Sequence, residues 1–234
     1  EEFEERVKGA KIEGAKRRAK LIILELSTGE SLLIHLKLTG RLLYVEPREP
    51  LDAHTHIVFH LDDGHQLRLW DLRRFGYIKL VPSGRLEEMP ELAEFGPEAL
   101  EMTLGEFKNL LVTKKRGKVK PLLMEQKFIS GLGNIYSDEV LHYAGVQPTR
   151  DVSTLMEQEK ELIYEGIQTI LPAALKHRGS SVDLYVDIYG RQGQYVPHLQ
   201  VYGREGESCY RCGASIKRIR LGGRSAHFCP NCQR

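Results

Sequence analysis

In the first third of the chain apolar residues run in short stretches broken by turn signals, a pattern that predicts strands. KLIILEL at 20–26 and SLLIHLKL at 31–38 flank STGE at 27–30, with the apolar runs as strands and the polar tetrapeptide as the turn. Residues 56–61 and 66–70 flank Asp62-Asp63-Gly64 in the same way, and FGYIKLV at 75–81 adds a fifth strand. Without helical periodicity between them, these strands build antiparallel hairpins of a sandwich or a barrel. A short helical fragment over residues 1–7 precedes them, and Pro47, Pro50, Pro82, Pro90 and Pro97 fall between elements.

Near Thr103 the period changes. Amphipathic helices are expected over 103–112 and 120–130, with Leu122, Leu123, Phe128 and Ile129 inward and Lys118, Lys120 and Lys127 outward. GLGN at 131–134 interrupts. A helix restarts at Asn134, with Ile135, Val140, Leu141 and Ala144 on one side, and stops at Gly145. Its unpaired first amides and positive dipole end favour an anion. Glu125 and Asp138 nearby read as solubilising or capping residues. A third helix is expected from about Thr154, with Glu157 at capping-box spacing, running toward Lys176 with a bend at Pro172. Residues 179–200 are glycine-rich and aromatic without a period, as a long loop is.

All four cysteines of the chain lie at its end as C-x2-C-x16-C-x2-C: Cys209, Cys212, Cys229 and Cys232. Two close pairs joined by a long spacer suit one tetrahedral, structural zinc ion. Disulfides are the alternative, and they require an oxidising compartment. Between the pairs, Ile216, Ile219 and Leu221 alternate loosely with Lys217, Arg218 and Arg220; this predicts a hairpin turning at Gly222-Gly223 with Arg224 at its tip.

The 234 residues suffice for two domains with a real core, and the net charge is only +2. The basic residues nonetheless cluster in three places, over 8–20, over 108–127 and in the cysteine segment, which suggests one positive surface after folding. The sequence has no apolar run of transmembrane length and no signal-peptide pattern, so a cytoplasmic protein is expected. The chain opens without Met, at EEFEERVKG, as if its start were cut.

HLKLTGR at 35–41, DLRRFG at 71–76, KPLLMEQKFISGLGNIYSDEVL at 120–141, VYGREG at 201–206 and GGRSAHFCPNCQ at 222–233 together resemble the formamidopyrimidine-DNA glycosylase family of base-excision repair enzymes. The resemblance runs the length of the chain. It implies an α+β fold: an N-terminal antiparallel β-sandwich, a helical domain with a helix-two-turn-helix, and a C-terminal four-cysteine zinc hairpin. The corresponding domains are residues 1–97, 98–200 and 201–234, with damaged double-stranded DNA across the cleft between sandwich and helices. The implied activity is excision of oxidised purines such as 8-oxoguanine, with strand cleavage by β,δ-elimination through a Schiff base. A monomer working in the bacterial cytoplasm, on the nucleoid when bound, is expected.

In that family the amine is an N-terminal proline, followed by a proton-donating glutamate. Neither is found here; Glu1 and Glu2 do not take that role, and a missing leading segment is the expectation, the chain as it stands excising nothing. By the same resemblance Lys20, His35, Asn134 and Arg224 contact the phosphates flanking the lesion. Leu38, Arg73 and Phe75 fill the vacated stack and face the orphaned base, with Leu38 where the family has methionine. Leu38 also has a core reading, since it ends an alternating strand. Ala19 stands where glycine is usual before Lys20, and Ser225-Ala226 where a Gly-Thr pair is. Residues 183–195 match a region that in some members folds over the flipped base. Two other functions stay open at this level: oxidised-pyrimidine excision within the same family, and a nonenzymatic nucleic-acid-binding module.

Overall fold

The computed structural model describes residues 2–114 and 116–234. Its contacts divide the chain into two compact units, residues 1–93 with 178–196, and residues 94–177 with 197–234.

The first unit opens with α1 (Glu2–Val7) and continues through seven strands: β1 (Ile12–Arg18), β2 (Leu21–Leu26), β3 (Glu30–His35), β4 (Gly40–Val45), β5 (Thr55–His60), β6 (Gln66–Asp71) and β7 (Tyr77–Pro82). They form two antiparallel sheets, ordered β1-β2-β3-β7 and β4-β6-β5. Leu24, Leu26, Leu32 and Ile34 of the first sheet pack with Leu42 and Leu67 of the second, and Phe3 and Val7 of α1 close over them. This face-to-face burial is the sandwich. Two strands add to the five that the apolar runs predict. In β1, IEGAKRR is almost wholly exposed and pairs on one side only, with β2, so nothing forces an apolar alternation on it. In β4, GRLLYV lies at the edge of the second sheet, paired with β6 alone.

Residues 178–196 group with these strands, although the sequence partition puts them with the helices. The Tyr44 amide of β4 donates to the Ile188 carbonyl at 2.7 Å, and the Tyr44 and Tyr189 rings meet edge to face at 6.1 Å.

After α2 (Pro90–Ala93), the second unit holds α3 (Leu104–Thr113), α4 (Val119–Met124), α5 (Asn134–Ala144) and α6 (Glu157–Lys176), then the hairpin β8 (Lys217–Leu221) and β9 (Arg224–Phe228). Thr103 and Glu106 cap α3 reciprocally, with Thr103 accepting from the Glu106 amide and the Glu106 carboxylate accepting from the Thr103 amide. The expected second helix is shorter, ending at Met124 and leaving 125–133 as the two turns between α4 and α5. Leu122, Leu123, Phe128 and Ile129 are buried as expected, while Lys120 is buried too. The capping box expected at Thr154 and Glu157 does not form. Thr154 closes a single-turn 3-10 segment capped by Asp151, and α6 starts later, where Glu159 accepts from the Met156 amide at 2.8 Å. α6 runs through Pro172 to Lys176.

Candidate nucleic-acid interface and metal centre

The hairpin of the second unit turns through two left-handed residues, Gly222 at φ 57° and Gly223 at φ 77°. That two-residue turn matches the twist of the paired strands, and its positive φ angles favour glycine. It brings the two cysteine pairs back to one centre. The four Sγ atoms lie within 4.8 Å of one another, with Cys209–Cys232 at 3.9 Å and Cys212–Cys229 at 3.4 Å. A tetrahedral zinc with Zn–S bonds of about 2.3 Å requires S···S edges of about 3.8 Å, whereas a disulfide requires about 2.05 Å. The donors fit zinc. All four cysteines are free thiols in the disulfide sense, and they form a structural zinc site. Burial pushes the Cys229 thiol up, and a bound cation reverses that by stabilising the thiolate.

The site is fixed to α5 and its end. His142 Nε2 lies 3.7 Å from Cys209 Sγ, the Gln233 amide group accepts from the Cys229 N–H and donates to the Val146 carbonyl, and the Arg234 N–H donates to the Gly145 carbonyl. Sequence reasoning missed His142 and Gln233 because they support the ligands without belonging to the cysteine spacing.

α5 is also the support of the phosphate-binding candidates. Gly133 is its N-cap and supplies no side-chain cap, and the helix starts at Asn134 as expected. The Asn134 amide group donates to Ser225 Oγ at 3.3 Å and lies 3.5 Å from the Tyr202 hydroxyl, which turns it toward the hairpin that carries Arg224. Its buried Oδ1 has no hydrogen-bond partner among the described residues. Arg224 itself is exposed at the start of β9.

Behind them stands an ion pair that the helical pattern assigns wrongly. Lys120 is 1% exposed, and its Nζ meets Asp138 Oδ1 at 2.7 Å and donates to the Ser225 carbonyl. Asp138, fully buried, accepts the His227 amide at 2.9 Å on its other oxygen. Lys120 is therefore not an outward charge, and Asp138 neither solubilises nor caps. Burial pulls the Lys120 ammonium down, Asp138 opposes that, and Arg224 adds to the lowering. On the next residue, Glu139 accepts the Gln200, Val201 and Tyr202 amides at 2.7–3.0 Å. Burial pushes its carboxyl up against those three bonds. Gln126 latches the two turns, donating to the Met124 and Leu132 carbonyls and accepting from the Gly131 amide. No spacing signal marks it.

In the first unit Lys20 is exposed on the two-residue turn between β1 and β2. Ala19 before it is left-handed, φ 52°, so the position usual for glycine keeps its conformation with a Cβ present. His35 ends β3 opposite Leu21, next to that turn. Its Nδ1 accepts the Lys37 amide at 2.9 Å, and burial, with Lys37 and Lys20 nearby, lowers its pKa to about 4. The ring is neutral at pH 7 and offers Nε2–H as a donor.

The proposed wedge residues all stand in loops of this unit. Leu38 is 57% exposed and Phe75 53%, which removes the core reading of Leu38. The Arg73 guanidinium lies 4.9 Å from the Phe75 ring centre. Asp71, buried, accepts from the Thr39 hydroxyl, the Arg73 amide at 3.1 Å and the Gly76 amide at 2.6 Å. Burial pushes its carboxyl up, but the hydrogen bonds outweigh that and hold it low. The sequence shows DLRRFG as a motif and gives Asp71 no role.

A β-sandwich bearing exposed apolar and cationic loop residues, a helix-two-turn-helix with an uncapped helix start and a basic zinc hairpin define a DNA-binding protein of the helix-two-turn-helix class. Residues 1–78 match the formamidopyrimidine-DNA glycosylase N-terminal domain, 95–186 its H2TH domain and 206–234 the zinc finger found in FPG and IleRS. The formamidopyrimidine-DNA glycosylase of Desulforamulus reducens is 43% identical over 219 residues, 93% of this chain and 79% of the relative. That of Pelotomaculum thermopropionicum is 42% identical over 234 residues, 100% of this chain and 85% of the relative. A complex of Lactococcus lactis Fpg with abasic-site DNA superposes with a TM-score of 0.92 at 35% identity, covering 100% of this chain and 86% of that one. MutM bound to DNA containing carbocyclic 8-oxo-G superposes at 0.91, also at 35% identity, covering 100% and 85%. The chain belongs to the formamidopyrimidine-DNA glycosylase family. With membership goes the bifunctional activity, excision of oxidised purines from DNA and cleavage at the resulting abasic site. Among the described residues no helix is long and apolar enough to cross a membrane.

Proposed function

We propose that Lys20, His35, Asn134 and Arg224 hold the phosphates flanking the damaged nucleotide, and that Leu38, Arg73 and Phe75 occupy the duplex once its base has left. The observation that carries this reading is what the two units leave exposed or unsatisfied at Leu38, Phe75, Asn134 and Arg224. Two large apolar side chains, Leu38 and Phe75, are held in exposed loops. On the other unit an uncapped helix start, a buried Asn134 oxygen without a hydrogen-bond partner among the described residues and an exposed Arg224 lie together. Exposed apolar side chains beside a cation suit insertion into a base stack; amides and a guanidinium suit a phosphate. Lys20 is assigned to phosphate and not to the Schiff base, which the family resemblance gives to an N-terminal proline. The protein is assigned to the bacterial cytoplasm, on the nucleoid when bound. Four metal-spaced thiols that require a reducing compartment support this.

The test is borohydride trapping of the protein on duplexes carrying 8-oxoguanine or an abasic site. A trapped adduct whose yield falls in Asn134→Ala and Arg224→Ala is expected. An adduct mapped to Lys20 would overturn its assignment, and parental trapping by both variants at all salt concentrations would remove the phosphate contacts.

A further inference from the structure

Leu38 and Phe75 stand on different loops, between β3 and β4 and between β6 and β7. Side chains on two independent loops do not by themselves make one rigid wedge, since each loop has its own freedom to fold its apolar residue back onto the protein. Both loops contain a non-glycine residue in the left-handed region, Lys37 at φ 52° and Arg74 at φ 58°, so both need bonds that hold them there.

Those bonds converge on one carboxylate. Asp71 Oδ1 accepts from the Thr39 hydroxyl, one residue from Leu38, and from the Arg73 amide, and Oδ2 accepts from the Gly76 amide next to Phe75. Thr39 Oγ1 also accepts from the Arg73 amide at 3.1 Å, which closes a triangle across the two loops. The carbonyl of Asp71 faces His56 Nε2 at 2.9 Å, anchoring the residue to β5. A Cβ at Gly76 would come within 3.1 Å of Asp71 Oδ2 and 3.2 Å of the His35 carbonyl, so the second loop passes directly against the end of β3. The Lys37 amide is held in turn by His35 Nδ1.

We propose that Asp71 is a positioning residue for base extrusion: its carboxylate, together with the Thr39 hydroxyl, locks the Leu38 loop and the Arg73–Phe75 loop into a single wedge. Asp71 touches no DNA in this role. It acts through the two loops, and the proposal rests on the wedge reading of Leu38, Arg73 and Phe75.

The experiment measures extrusion with 2-aminopurine beside the lesion, in a fully paired duplex and in one whose lesion lies in a pre-opened, unpaired bulge. Thr39→Val keeps the side-chain shape and removes the cross-loop hydrogen bond, while Thr39→Ser restores the hydroxyl; Asp71→Asn is read beside them with melting temperatures. A hydrogen bond to a charged acceptor is worth about a ten-fold change in an equilibrium. Thr39→Val is therefore expected to lose about ten-fold in extrusion from the paired duplex and less than about two-fold from the pre-opened one, with Thr39→Ser close to parental. Equal losses on both duplexes, tracking a fall in melting temperature, would make Asp71 merely structural and overturn the proposal. So would parental extrusion in Thr39→Val and in folded Asp71→Asn while Leu38→Ala and Phe75→Ala lose it, which leaves the wedge reading standing. Parental extrusion in Leu38→Ala and Phe75→Ala as well would remove the wedge reading and this proposal with it.

Discussion

In the helical unit, Asn134 and Arg224 are carried by elements joined through buried charges: Lys120 to Asp138, Asp138 to the His227 amide, Glu139 to three amides at 200–202, and four thiols around one centre. In the strand unit, Leu38, Arg73 and Phe75 project from loops that a carboxylate ties at their bases. On the proposed roles, the difference follows from what Asn134 and Arg224 on one side and Leu38, Arg73 and Phe75 on the other have to do. A group that meets a phosphate must stay fixed while desolvated, and low-dielectric support fixes it firmly. A wedge must keep apolar surface exposed until a base leaves, so it cannot be buried in the fold that supports it. Loss of support should therefore damage the helical unit as a fold and the strand unit only as a function.

The largest expected effect is at the metal. Structural zinc contributes on the order of 10 kcal/mol to domains of this kind. Chelation or Cys229→Ser should therefore disorder the hairpin and abolish tight DNA binding, while the sandwich stays folded. Elemental analysis should give one zinc per chain, and limited proteolysis should cut first in 204–234. A tightly binding, protease-resistant chain without zinc would break the contrast at its strongest point.

Next is the buried pair. Asp138→Ala leaves the Lys120 ammonium uncompensated in the interior, a loss of about 3–5 kcal/mol, read by urea unfolding. Lys120→Met should cost less than Asp138→Ala, because the His227 amide still satisfies one Asp138 oxygen. Equal small losses from both would show that water reaches the pair.

DNA affinity gives a smaller effect with a sharper signature. Lys20→Ala and Arg224→Ala should each lower the salt slope of binding by about 1. His35→Ala should weaken binding without changing that slope at pH 7, because burial and the nearby lysines hold the ring's pKa near about 4. The same shift sets a pH dependence. His35 is depressed below its unfolded value, so between about 4 and 6.5 the unfolded chain binds more protons, and stability falls as pH is lowered through that window. A His35→Ala variant whose urea midpoint falls as steeply as the parent's would assign the loss to other groups.

Smallest in stability is Phe75→Ala, expected within about 0.5 kcal/mol of the parent because the ring is largely exposed. It should nevertheless suppress base extrusion. A large melting loss with unchanged extrusion would move Phe75 into the core and erase the distinction between the two supports.

Local chemistry already shows in the sequence wherever it repeats at fixed spacing. The cysteine pairs, the Gly222-Gly223 turn between alternating strands, the runs that become β2, β3, β5, β6 and β7, and the break at GLGN that starts α5 each depend on residues close together in the chain. Lys120, Asp138 and Asp71 depend on tertiary structure. A lysine on an amphipathic helix pattern is read as exposed, and only the approach of α5 and β9 gives its ammonium Asp138 and the Ser225 carbonyl, 18 and 105 residues away. Asp71 acquires its role because the β3–β4 turn brings Thr39 to it across 32 residues. β1 is invisible for a related reason: its order comes from pairing with β2 and not from burying an apolar face. Hydrophobic periodicity records which side of an element is buried. It does not record which buried polar group will meet which, because that is fixed only when desolvation forces each charge to find a partner.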